Sequence, residues 1–200
     1  MSVKGYSDAI NHAFAFAAKH HDRQVRKGTK LPYFTQPANI AVILSRYGCG
    51  DNTLVAGILH DVAQDSIREG ATLEILEQRI GEKFGAETLS LLLAVTQRRL
   101  DDDGIELDSD EMKTDYLDRL ASAPRPALWV SAAEKLHNAN SLLSDVRRTM
   151  DPDSVWSRTS GGRDATVKWY RDVLNRFTQV GFTEPITQEL AEAVSALEKF

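Results

Sequence analysis

Apolar residues recur at three- and four-residue steps along most of the chain, the spacing of helices that turn one face to a core. Ile10, Ala13, Phe14, Ala17 and Ala18 form the first stripe, with Ser7 or Asp8 placed to cap it. Pro37 suits the opening turn of a second helix, with Ile40, Ala41, Ile43 and Leu44 inward and Gly48-Cys49-Gly50 as its end. Asp51 or Asn52 is placed to cap a third, whose apolar face is Leu54, Val55, Ile58, Leu59 and Val62. Thr72 opens a short helix through Ile80 that Gly81 stops, and residues 82–98 predict the next. Further helices are expected at about 111–121, from the Pro124-Arg125-Pro126 break to about 149, at about 163–179 and at about 184–199. Asp151-Pro152 and Gly161-Gly162 bracket a loop holding Trp156. No segment alternates as a strand does, and no linker separates two domains, so the expectation is an all-α bundle of about eight to nine helices.

The polar residues that interrupt this pattern carry the candidate chemistry. The third helix runs on into His60-Asp61-Val62-Ala63-Gln64-Asp65. Adjacent helical residues diverge by about 100°, so His60 and Asp61 can both reach an ion lying between them, with Gln64 and Asp65 one turn further on. A helix end whose polar groups simply meet water fits the same residues. Glu134 sits in the apolar surroundings of Trp129, Val130, Ala132, Ala133 and Leu136, and shares a helix face with Asn138 at i+4. Such a carboxylate wants an arginine, a cap or a metal as partner, because a bare buried charge is costly. Histidine, carboxylates and neutral oxygen donors suit Mn²⁺, Fe²⁺ or Mg²⁺ better than a thiolate zinc site.

Charge and composition narrow the partners. The 200 residues carry a formal net charge of −5, without the basic footprint of a general nucleic-acid binder. Within that acidic chain Arg23, Arg26, Lys27 and Lys30 crowd into one loop beside Gly28 and Pro32, a local field suited to a phosphorylated small molecule or simply to solvent. Arg158, Gly161, Gly162, Arg163 and Lys168 form a weaker cluster of the same sign. Asp101-Asp102-Asp103-Gly104 reads as a solvated acidic loop, its glycine too early for a calcium loop. A single cysteine, Cys49, excludes an internal disulfide. With no apolar run near ~20 residues and no signal-peptide pattern, the expected setting is the cytoplasm, without a membrane partner.

The ordered motifs resemble the HD-domain metal-dependent phosphohydrolases, and within them the SpoT-like small alarmone hydrolases, which remove the 3′-pyrophosphate of guanosine 3′,5′-bis(diphosphate) (ppGpp). The matching stretches are His21-Asp22-Arg23-Gln24-Val25-Arg26-Lys27-Gly28, Pro32-Tyr33, Ala56 to Asp65, and Ala133-Glu134-Lys135-Leu136-His137-Asn138. The resemblance covers about residues 6 to 177. It implies one HD-type domain over 1–200, with a core at about 6–150 and the helices of about 163–199 packed on it. It further implies a divalent metal, Mn²⁺ first, held by His60, Asp61 and Glu134 with Gln36, and a nucleotide held by Arg26, Lys27 and Asn138. Catalysis falls to Asp65 with Gln64.

Three positions depart from the family pattern. Gln36 stands where the family has its first metal histidine, Gln64 where it has a glutamate, and Glu134 where it has an aspartate. Glutamate for aspartate keeps the charge and donor atom. Glutamine for histidine gives a neutral oxygen that first-row ions bind more weakly. Glutamine for glutamate removes a proton acceptor, and general-base help is typically worth about 10²–10⁴-fold. The second reading is therefore an HD scaffold, weakened or silent as an enzyme, that binds a nucleotide in a regulatory role.

Overall fold

The computed structural model describes residues 6–101 and 103–200. Asp102 of the acidic run lies outside the described residues. Among the described residues, eight helices of ten residues or more carry the fold: α1 Asp8–His20, α2 Thr35–Arg46, α3 Asp51–Arg68, α6 Ala86–Val95, α7 Ser109–Ser122, α8 Arg125–Arg148, α10 Gly162–Gln179 and α11 Pro185–Leu197. Three short helices lie between them: α4 Leu73–Leu76, α5 Glu82–Phe84 and α9 Asp153–Trp156. A π-helical turn, Glu77–Gly81, joins α4 to α5. Among the described residues the only β pairings are isolated bridges, Val25 with Pro32 and Leu100 with Glu106. The architecture is all-α.

Local chemistry explains where expected boundaries shift. The helix expected over 82–98 is cut in two because Gly85 takes φ 91°, a left-handed conformation that only glycine adopts without strain. Its second part stops at Val95, where Thr96 turns extended. Gly50, not Asp51 or Asn52, is the N-cap of α3, and Asp51 opens the helix, where an acid suits the positive end of the dipole. Trp156 closes the short helix α9 instead of lying in open loop. Ser7 caps α1 by accepting from the Ile10 amide at 3.3 Å, and Asp108 with Glu111 forms a reciprocal capping box on α7.

α3 is the hub, packed by α1, α2, α6 and α8. Leu54, Ile58, Leu59 and Val62 are buried to the last per cent, so truncating one costs about 2–5 kcal/mol. Gly57 lets α2 approach closely: a Cβ there would lie 2.5 Å from Leu44 Cδ1. α8 crosses α3 with Ala132, Ala133 and Ala139 fully buried, and α11 lies on α8. Small residues on α8 keep it near α3, and this sets the polar rows of the two helices against each other. No helix among the described residues is long and apolar enough to cross a membrane.

Candidate metal and phosphate site

His60, Asp61 and Gln64 lie inside α3, not at its end, and all three are buried. His60 Nε2 lies 3.2 Å from the carbonyl of Val95, which ends α6 and so lacks a helical partner. An acceptor there puts the ring proton on Nε2. Nδ1 is left as a buried lone pair with no hydrogen-bond partner, 3.5 Å from Asp61 Oδ1. Burial opposes charge on His60, but Asp61 and, across the helix pair, Glu134 outweigh it and raise its pKa. Burial likewise works against the Asp61 carboxylate, and His60 and His21 hold it below the ordinary range.

Gln36 reaches Asp61 from α2, donating Nε2 to Oδ2 at 2.9 Å. On α8, Glu134 accepts from Asn138 Nδ2 at 2.6 Å and pairs with the Lys135 ammonium. Lys135 is itself buried, 4.9 Å above the Tyr116 ring and 5.7 Å from that of Trp169. Burial would strip its proton, and the Glu134 charge more than restores it. Glu134 thus faces the same interior as His60 while its carboxylate is committed to Lys135 and Asn138.

Asp65 is held from α1 and the loop beyond it. Its Oδ2 accepts from His20 Nε2 at 3.3 Å and from Gln24 Nε2 at 3.2 Å, and Arg68 Nη1 stands 3.8 Å from Oδ1. Gln64 spends both ends of its amide on one residue: Nε2 donates to Gln97 O at 3.2 Å, and Oε1 accepts from Gln97 N at 3.0 Å. Glutamate cannot make that pair, because it has no donor for the carbonyl. Gln64→Glu is expected to cost about 1–3 kcal/mol in urea unfolding and to leave turnover no higher. A more active variant of unchanged stability would show that the Gln97 clamp is idle.

The structure joins the two basic clusters. Arg26 Nη1 donates to His137 Nε2 at 3.2 Å. Burial and the Arg26 charge push His137 down to about 4, so the imidazole is neutral near pH 7 and accepts. Arg158 lies across the same loop, donating Nε to Ser154 O at 2.9 Å and Nη1 to Lys27 O at 3.4 Å. Gly28, at φ 83°, passes beneath that guanidinium, where a Cβ would sit 1.7 Å from Nη1. Gly161 and Gly162 instead mark the turn into α10, where Arg163 lies against Glu198 O and Lys168 against Asp172.

Several residues here carried no weight of their own in the sequence. Tyr33 is half-buried, and burial with the charges of Asp61 and Asp65 raises its pKa. His20 and Arg79 were also silent, because their partners lie 45 and 59 positions away, and Lys135 because the Tyr116 and Trp169 rings that enclose it come from other helices. Among the described residues, the group of three His, Cys, Asp or Glu side chains with ligand atoms all within 4.8 Å of one another is His20, His21 and Asp65.

The all-α bundle thus carries a buried His-Asp pair on its central helix and a buried carboxylate on a second helix. The HD domain matches residues 13–155, and the chain belongs to the HD-domain family, whose members bind divalent metals. It is 33% identical over 147 residues to the guanosine-3′,5′-bis(diphosphate) 3′-pyrophosphohydrolase MESH1 of Xenopus tropicalis, covering 71% of this chain and 73% of that protein. It is 28% identical over 138 residues to a GTP pyrophosphokinase of Myxococcus xanthus, covering 68% of this chain but only 17% of that much longer protein. A probable GTP pyrophosphokinase of Mycobacterium leprae matches at 34% over 136 residues, again with 16% of its length spanned. A solved metazoan ortholog of SpoT, described as hydrolysing ppGpp, superposes with a TM-score of 0.72 at 25% identity, covering 95% of this chain and 96% of that one.

Proposed function

We propose that this chain, acting as one HD-type domain, is a divalent-metal-dependent hydrolase that removes the 3′-pyrophosphate of ppGpp or a closely related nucleotide. The observation that carries the reading is the His60–Asp61 pair, buried on α3 with the Nδ1 lone pair unused, while Arg26 of the basic loop is tied to α8 through His137. The donor set, imidazole nitrogen with carboxylate oxygens, fits Mn²⁺, and Fe²⁺ or Mg²⁺ after it. His60 and Asp61 would hold the ion, with Glu134 released from Lys135 to join them and Gln36 bracing Asp61. A bound divalent ion supplies polarisation of a phosphoryl oxygen and acidification of water.

The chain's own groups do the rest. Arg26, Lys27 and Asn138 hold the nucleotide, Arg26 being aimed by neutral His137. Asp65, oriented by His20 and Gln24, takes the proton of the attacking water. The water oxygen bonds to phosphorus, the bond from phosphorus to the ribose 3′ oxygen breaks, and that oxygen leaves with a proton taken from solvent. Gln64 stiffens the wall behind through Gln97. Pyrophosphate release from ppGpp with added Mn²⁺ tests the assignment. Asp65→Asn is expected to lower kcat about 100-fold with KM within twofold, and equal kcat in both proteins would remove Asp65 from the chemistry.

A second reading has its own support. Gln36 already covers one Asp61 oxygen, and Lys135 already neutralises Glu134, so the scaffold has internal partners for both carboxylates. In that case ppGpp binds through Arg26 and Lys27 with no Mn²⁺ requirement and no pyrophosphate appears.

A further inference from the structure

His21 ends α1 with 2% of its surface exposed. Its Nδ1 lies 2.7 Å from Gln24 Oε1, and the Gln24 amide is oriented by its Nε2 donating to Asp65 Oδ2. The facing atom is thus an acceptor, so Nδ1 carries the proton and Nε2 presents a lone pair. That Nε2 is buried and has no hydrogen-bond partner. Burying an acceptor unmet costs about 1–3 kcal/mol. The ring cannot turn out to water easily, being walled by His20 with centroids 4.7 Å apart and by Tyr33 at 4.9 Å.

His20 belongs to the same 4.8 Å group but is already spent. Arg79 Nη2 donates to its Nδ1 at 3.3 Å, which forces the proton onto Nε2, and that N–H is given to Asp65. Gln36, meanwhile, turns its donor end to Asp61, which leaves only its neutral Oε1 for an ion, a weaker donor than an imidazole nitrogen. The structure therefore lacks one imidazole at Gln36 and has one idle imidazole at His21. We infer that His21 is a metal ligand in this chain, its buried Nε2 supplying the imidazole nitrogen that Gln36 cannot, beside the Asp65 carboxylate that serves as base. The inference rests on the metal-dependent reading above.

The test is calorimetric titration of Mn²⁺ into the full chain, with ¹⁵N-histidine NMR of the unmodified protein as the second arm. His21→Leu is expected to weaken Mn²⁺ binding tenfold or more, whereas His12→Gln, on the exposed side of α1 beside Phe84, stays within twofold. Saturating diamagnetic Zn²⁺ should move the His21 Nε2 resonance away from its lone-pair position while the exposed His12 nitrogens stay in place, a readout that holds even if His21→Leu fails to fold. Wild-type affinity in His21→Leu, or an unmoved His21 Nε2 resonance at saturation, overturns the assignment. If His60→Ala alone abolishes binding, only the role of His21 falls. If the wild-type chain binds no divalent ion, the hydrolase reading falls with it.

Discussion

Lys135→Met is expected to destabilise the protein by about 3–5 kcal/mol, the usual result of leaving one member of a buried ion pair behind. Both partners are nearly enclosed, with side chains 9% and 10% exposed, so water cannot compensate the Glu134 carboxylate. Asn138 then remains its one neutral donor. The methionine fills the volume under the Tyr116 and Trp169 rings, so the loss reports charge and not a cavity. Thermal unfolding followed by circular dichroism should show the loss, and saturating Mn²⁺ should recover a large part of it, because a cation replaces the missing ammonium. A loss of the same size with and without Mn²⁺ would detach Glu134 from the metal.

Stability should also fall by about 3 kcal/mol as pH drops from 6.5 to 4, through His137. Burial first, and the Arg26 charge second, push its pKa down to about 4 in the folded protein, against an ordinary value of 6.5 in the unfolded chain. Over that interval the unfolded state binds the proton that the folded state refuses. The contribution is therefore complete above pH 6.5 and is lost on acidification toward 4. His137→Gln keeps an acceptor for Arg26 and removes the titration, so its urea midpoint should lose less between pH 6.5 and 4 than that of the wild type. Parallel curves for the two proteins would place the acid sensitivity elsewhere.

The hydrophobic spacing was enough for the eight long helices, since each buries a stripe that repeats at helical period. It did not give the division at Gly85, because one glycine in an apolar run is compatible with a continuous helix until a left-handed φ is imposed. Gln64 was misleading for a physical reason. As a residue on the polar face of α3 it looks free to orient water, and only the fold brings the Gln97 peptide within reach of both its ends. The His60–Asp61 pair was legible as adjacent polar residues on an apolar helix, and Glu134 as a carboxylate among alanines. That the next residue, Lys135, turns back to neutralise Glu134 depends on the aromatic walls of α7 and α10, which lie far off in sequence. The union of Arg158 with the Arg26–Lys27 loop is likewise a product of the fold, bridging 131 positions.

The central claim is that α3 and α8 share a divalent ion between their polar rows. Anomalous diffraction from crystals grown with Mn²⁺ tests it directly. A strong peak is expected in coordination contact with His60 and Asp61, with the Glu134 carboxylate turned from Lys135 toward it. No peak beside His60 and Asp61, with Glu134 still paired to Lys135, would contradict it.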